Sequence, residues 1–153
     1  MLKLFLGGWF ALVSAVACAA PAIQVFQTDS MARIIAGQKG KPFVLVVWSL
    51  DCEYCQASLN TLAQEKRKRK DLTVVTLATD ALGDAQVKKK LGSIGLGTNA
   101  WAFSAAPQEQ LRYAIDAKWH GEMPRSYWFN AKGERVGYSG LITAEIITKF
   151  QPE

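Results

Sequence analysis

The sequence centres on the octapeptide Trp48-Ser49-Leu50-Asp51-Cys52-Glu53-Tyr54-Cys55. An uninterrupted apolar run over residues 43–48 leads into it, and such a run is typical of a strand buried on both faces of a sheet. Beyond it, Leu59 and Leu62 follow Cys55 at helical spacing. We therefore predict a strand, a short turn and an amphipathic helix that carries the two cysteines at its N-terminus.

The spacing of Cys52 and Cys55 suits reversible disulfide chemistry. Unpaired N–H groups and the helix dipole stabilise a thiolate at the first turn of a helix. A structural disulfide across so short a loop adds little stability, because the entropic gain grows with loop length. Behind a buried strand, this Cys-x-x-Cys indicates a thioredoxin-like redox motif that turns over.

The N-terminus is typical of an export signal. Lys3 precedes apolar residues 4–16, and Ala17-Cys18-Ala19 has the small-residue pattern of a signal-peptidase site. Residues 4–20 also reach the lower length limit of a membrane-spanning helix, and residues 15–18 resemble a weak lipobox ending at Cys18. We predict a signal peptide over residues 1–19, with a membrane or lipid anchor as alternatives, and a periplasmic or otherwise extracytoplasmic domain over residues 20–153.

Length and composition predict a single globular domain. The 153 residues are 50% hydrophobic and 20% charged, with a formal net charge of +5, which gives no sign of disorder. Basic residues cluster over Lys66 to Lys70 and Lys88 to Lys90. We place both runs at helix C-termini, where cations complement the dipole, and therefore expect no nucleic-acid surface.

Hydrophobic periodicity and turn signals predict an α/β domain. The predicted strands are residues 23–27, 43–48, 72–78, 126–129 and 135–139, with 101–103 as either a short strand or a packed loop. The predicted helices are residues 31–36, 55–69, 84–91 and 107–117, and a last one that starts at Thr143.

This order of elements resembles the thioredoxin superfamily. Two motifs add to the resemblance: Trp48-x-x-x-Cys52-x-x-Cys55, and Met123-Pro124 before the last two strands. More narrowly, residues 40–150 look like the exported TlpA/ResA branch of thiol–disulfide oxidoreductases. The resemblance implies a thioredoxin-like fold, with a central mixed β-sheet flanked by helices and an insertion before the cis-Pro hairpin. It also implies that Cys52 is the exposed nucleophile, Cys55 the buried resolving thiol and Pro124 a cis-proline beside them.

The sequence departs from the family pattern around the cysteines. Asp51 replaces the usual Trp, Glu53-Tyr54 lacks the common proline, and Val46 stands where thioredoxin keeps a buried acid. By the resemblance, Asp80 aligns with an acidic residue near the thiols. We predict that it accepts the proton of Cys55, with helix capping as the alternative.

Asp51 and Glu53 favour a reducing couple. Negative charges raise the pKa of a neighbouring thiol and oppose the helix dipole. A less stabilised thiolate makes the reduced form less stable, so the couple becomes more reducing.

Trp48, Met123 and His120 can be interpreted without a role in the sulfur chemistry. We expect Trp48 to be core packing beside the site, and Met123 to be either an apolar docking surface for substrate or simple packing. His120, the only histidine, is expected in an exposed loop. Two thiols and a distant imidazole do not make a metal site, and no nucleotide or flavin motif occurs, so we expect no cofactor beyond the disulfide.

These features predict a protein-disulfide reductase that acts on exported proteins. By the resemblance, its substrates include apocytochromes awaiting haem attachment, and its electrons come from a membrane thiol–disulfide donor. Two alternatives remain open at this point: a disulfide oxidase or isomerase of the same fold, and a non-catalytic thioredoxin-like binding module.

Overall fold

The computed structural model describes residues 22–81, 83 and 85–151. The predicted export segment over residues 1–19 lies outside the described residues. Within them, the strands are β1 (Gln24–Phe26), β2 (Phe43–Trp48), β3 (Val74–Ala81), β4 (Ala100–Phe103), β5 (Arg125–Phe129) and β6 (Arg135–Ser139). The helices are α1 (Ser30–Gly37), α2 (Glu53–Lys68), α3 (Ala85–Ile94), α4 (Gln108–Ile115) and α5 (Ala144–Phe150).

The strands form one mixed sheet in the order β1-β4-β3-β2-β5-β6. The first four of these run parallel, whereas β5 is antiparallel to β2 and β6 to β5. The predicted insertion before the hairpin contributes α3 and β4, and β4 enters the sheet between β1 and β3. The thioredoxin-like α/β fold expected from the sequence is thus confirmed.

Strand β2 is the centre of the core. All six of its residues are buried, as the continuous apolar run predicts, because side chains on alternating faces enter two different clusters. Val44, Val46 and Trp48 pack in the cluster that contains Cys55 and Leu59 of α2. Residues 43, 45 and 47 pack in the cluster on the other face, which includes residues of α1 and α4.

Several boundaries differ from the predicted ones, each for a local reason. Helix α2 begins at Glu53, because the Cys52 sulfur accepts the Cys55 N–H at 3.1 Å and acts as its N-cap. Strand β3 continues past Ala78 to Ala81, so Asp80 lies inside the strand. The segment at residues 101–103 is a strand, and it pairs with β1 and β3.

The placement of one basic run was wrong. Lys66 to Lys68 do occupy the last turn of α2. Lys88 to Lys90 instead lie in the middle of α3, which continues to Ile94. The helix passes through Gly92 because Val87, Leu91 and Ile94 maintain one apolar face against the core.

Candidate active site

The two cysteines lie where β2 ends and α2 begins, and they form a disulfide. Cys52 is the N-cap residue and is partly exposed, whereas Cys55 in the first turn is fully buried. Substrate sulfur can therefore approach Cys52 but not Cys55. This asymmetry is the one that a nucleophilic Cys52 and a resolving Cys55 require.

The loop between β2 and α2 is held by Gln56. Its side-chain amide donates hydrogen bonds to the carbonyl oxygens of Ser49 at 3.3 Å and Leu50 at 3.2 Å. Gln56 stands one helical turn after Cys52, so its side chain reaches back to the loop that leads to the nucleophile. Gln56 was not predicted from the sequence, although a long amide at this spacing was the available signal.

Asp80 approaches the same loop from β3. Its Oδ2 atom accepts a hydrogen bond from the Leu50 N–H at 3.0 Å. The parallel pairing of Trp48 with Ala78 makes this contact possible, because it brings the carboxyl ends of both strands together. The helix-cap alternative was wrong, since Asp80 belongs to a strand and α3 begins at Ala85. Its role as proton acceptor for Cys55 stays a prediction.

The Met123–Pro124 peptide bond is cis, as the resemblance implies. Arg125 pairs with Val47, so the preceding dipeptide lies beyond the last pair, beside the end of β2 from which the cysteine loop departs. The Pro124 carbonyl oxygen accepts the Gly140 N–H at 3.0 Å, which ties the segment to the end of β6. Met123 is half-buried and packs against both core clusters, so packing is observed and substrate docking stays a prediction.

Trp48 and the residues between the cysteines divide into buried and exposed groups. Trp48 is fully buried in the cluster that contains Cys55, in agreement with a packing role. Asp51 and Glu53 are exposed, and Tyr54 keeps 65% of its surface accessible. Solvent weakens the field of the two carboxylates at Cys52, but their sign still opposes a thiolate there.

Asp116, the residue after α4, forms a network of polar contacts with Arg125 and Tyr127 of β5. Arg125 Nη2 lies 3.2 Å from Asp116 Oδ2, and the Tyr127 hydroxyl donates to the same oxygen at 3.2 Å. Burial opposes ionisation of Asp116, but hydrogen bonds from the Lys118 N–H, Tyr127 and Arg125 outweigh it and hold the pKa of Asp116 below its usual value. Burial raises the pKa of Tyr127 to about 12, so its hydroxyl remains a donor.

His120 lies in an exposed loop, as predicted. Its backbone N–H donates to Glu122 Oε2 at 3.2 Å. The described residues contain no group of three His, Cys, Asp or Glu side chains able to hold a metal ion. No helix within residues 22–151, as far as they are described, has the length and apolar character needed to cross a membrane.

A groove of about 460 Å³ lies at the other end of β5, where Trp128, Phe129 and Phe150 contribute to its walls. None of its lining residues belongs to the cysteine site.

One protein family, described as a thioredoxin-like domain, matches residues 30–151. The chain belongs to this family. Together with the closed Cys52–Cys55 disulfide at the helix N-terminus, the family assigns the chain to the thiol–disulfide oxidoreductases. No curated protein matches the chain.

Solved structures share the fold of this thioredoxin-like chain at low identity. A thioredoxin-family thiol:disulfide interchange protein from Chlorobium tepidum has a TM-score of 0.60 and 19% identity, covering 86% of this chain and 91% of its own. A putative thiol:disulfide interchange protein DsbE from the same organism has a TM-score of 0.58 and 22% identity, covering 76% of this chain and 80% of its own. A secreted Mycobacterium tuberculosis disulfide oxidoreductase, homologous to E. coli DsbE, has a TM-score of 0.52 and 22% identity, covering 71% of this chain and 76% of its own.

Proposed function

We propose that this thioredoxin-like chain is a protein-disulfide reductase that acts outside the cytoplasm, in the manner of the TlpA/ResA branch. The observation that carries the proposal is the pairing of a partly exposed Cys52 with a fully buried Cys55 beside the cis Met123–Pro124 bond. The export pattern over residues 1–19 and a secreted structural neighbour support the location.

The reaction is a two-electron exchange. The Cys52 thiolate attacks one sulfur of a substrate disulfide, forms a mixed disulfide and releases the other substrate sulfur as a thiolate. The Cys55 thiolate then attacks the Cys52 sulfur, which closes the Cys52–Cys55 disulfide and releases the second substrate thiolate. The substrate is reduced by two electrons and the protein is oxidised by two, while Asp80 is the proposed acceptor of the Cys55 proton.

The reducing direction is favoured by Asp51 and Glu53. Both carboxylates flank Cys52 and are exposed, and negative charge disfavours its thiolate. Electrons would return from a membrane thiol–disulfide donor. Apocytochromes awaiting haem attachment are the substrate class that the TlpA/ResA resemblance suggests.

The reduction potential of the Cys52–Cys55 couple tests the direction. The domain is equilibrated in glutathione or dithiothreitol buffers, and its free thiols are counted by alkylation. We expect a value at or below roughly −220 mV, whereas a value near roughly −120 mV would identify an oxidase or isomerase instead.

Trapping tests whether the site is catalytic at all. Cys55→Ser removes the resolving thiol, so we expect mixed disulfides with exported proteins to accumulate on Cys52. Cys52→Ser is the matched control and should trap none. A protein whose partner interactions survive both substitutions, and which traps nothing, would be a non-catalytic binding module.

A further inference from the structure

The residue after the cis-proline carries a guanidinium group that is held on several sides. Arg125 Nη2 lies 3.2 Å from Asp116 Oδ2, and Nη1 donates to Ser139 Oγ at 2.9 Å. Its Cζ atom lies 4.8 Å from the centroid of the Tyr127 ring. The side chain is only 16% exposed, so these charge-assisted contacts are partly shielded from water and fix the guanidinium in one place.

The neighbouring strand leaves space for this side chain. Gly137 of β6 pairs with Tyr127, and a β-carbon at Gly137 would overlap the Arg125 guanidinium, lying 3.0 Å from its Cζ. Gly137 is not among the glycines with positive φ, so backbone conformation does not require glycine there. The close approach of Arg125 favours glycine, because a β-carbon would force the guanidinium to move, and glycine within a strand often marks such an approach.

Glu122, which precedes the cis Met123–Pro124 segment, contacts Ser139 and the same Arg125 guanidinium. Glu122 Oε1 accepts the Ser139 hydroxyl at 3.1 Å and lies 3.9 Å from Arg125 Nη1. The Glu122 carbonyl oxygen accepts the Trp119 indole N–H at 2.8 Å. Met123 and Pro124 are therefore anchored at both ends, with Ser139 and the Arg125 guanidinium as the shared support.

We propose that Arg125 is a positioning residue for the disulfide site. Held against Gly137 and between Asp116 and Tyr127, it sets the position of Met123–Pro124 beside Cys52 and thereby governs the docking of polypeptide disulfides. Its guanidinium lies over β6, two strands from β2, so it acts through the segment 122–124. This inference rests on the proposed reductase function.

If Arg125 positions the segment beside Cys52, its loss has different effects from those expected if it only stabilises the fold. A small disulfide such as 5,5′-dithiobis(2-nitrobenzoic acid) needs only the Cys52 thiolate, whereas a polypeptide disulfide also needs the surface formed by Met123 and Pro124. Loss of the Arg125 contacts should therefore slow reduction of polypeptides selectively. The reduction potential should not move, because none of the sulfur atoms loses a contact.

The test compares Arg125→Lys and Gly137→Ala with the unchanged protein. Arg125→Lys keeps the positive charge but loses the planar set of N–H donors that bonds several partners at once. Gly137→Ala displaces the guanidinium without deleting it. We expect both to slow reduction of insulin by roughly ten- to a hundredfold, the scale of an ångström misplacement. The rate with the small disulfide and the reduction potential should stay as in the unchanged protein.

Arg135→Lys is the matched control. Arg135 Cζ also lies 4.8 Å from the Tyr127 ring centroid, but its Nη1 donates to the Ile115 carbonyl oxygen at 2.7 Å and not to the segment beside Cys52. We expect this variant to reduce both disulfides at the rates of the unchanged protein.

A double-mutant cycle completes the test. If Gly137 acts by making room for Arg125, then Gly137→Ala should have no further effect in an Arg125→Ala background. A further loss there, an equal loss with both disulfides, or full insulin activity in Arg125→Lys would each overturn the inference. If the unchanged protein reduces neither disulfide, the proposed function fails first and is recognised before any variant is compared.

Discussion

Gln56 and Asp80 both hydrogen-bond the loop before Cys52, one by donating and the other by accepting. Gln56 bonds the carbonyl oxygens of Ser49 and Leu50, and Asp80 bonds the Leu50 N–H. The roles of nucleophile and resolving thiol were implied by the family resemblance, whereas the cysteine spacing by itself predicted only two thiols in the first turn of one helix. It could not predict the loop contacts, since these depend on the register between β2 and β3.

Gln56→Leu should destabilise the oxidised protein. The substitution keeps the volume but removes two donors, so we expect the free energy of unfolding to fall by about 1 kcal/mol. Urea denaturation measures it. Gln64→Leu, at an exposed position of the same helix, should stay within about 0.5 kcal/mol of the unchanged protein. Equal effects of the two substitutions would show that the loop contacts add nothing.

Asp80→Asn separates two functions of one side chain. The amide oxygen of asparagine can still accept the Leu50 N–H, but asparagine cannot take a proton at neutral pH. If Asp80 accepts the proton of Cys55, the mixed disulfide should persist longer in the variant while its stability is unchanged. Rapid-quench alkylation follows this species. Resolution at the normal rate would contradict a role for Asp80 as proton acceptor.

At the scale of elements, sequence periodicity located the helices and strands well where a long apolar face exists. The hairpin strand Arg135–Ser139 and the start of α5 after Thr143 agree with prediction, because turn residues and a capping hydroxyl mark them. The strand Ala100–Phe103 was ambiguous, since four apolar residues suit a buried strand and a packed loop equally. Only its partners in the sheet decide between them.

Ser58 joins α2 to the segment before α5. Its hydroxyl oxygen accepts the Ile142 N–H at 3.0 Å, and both residues are fully buried. Ser58→Ala leaves that N–H without this partner, so we expect a loss of about 1–3 kcal/mol in the free energy of unfolding. Thr61→Ala, on the exposed side of α2, is the comparison. An equally small change in both would mean that Ile142 finds another acceptor.

At the scale of the whole molecule, the network around Asp116 links α4, β5 and β6. The pKa of Asp116 is lower in the folded protein than its usual value. Such a carboxylate stabilises the fold above its unfolded pKa of about 3.9, and this contribution is lost as the pH falls through the folded value. The unchanged protein should therefore exceed Asp116→Asn in stability at neutral pH, and the gap should narrow below about pH 4. Urea titrations that find a constant gap would contradict this.

The insertion of β4 into the sheet has a consequence for the order of folding. Among the described strands, β1 pairs with β4, so Phe26 meets Phe103 only after most of the chain has been made. Closing so long a loop is entropically costly, and contacts of high sequence separation tend to form late. We expect β1, an edge strand that can pair only once β4 has been made, to dock after the folding transition state. Phe26→Leu should accordingly speed unfolding and leave the refolding rate nearly unchanged in stopped-flow experiments.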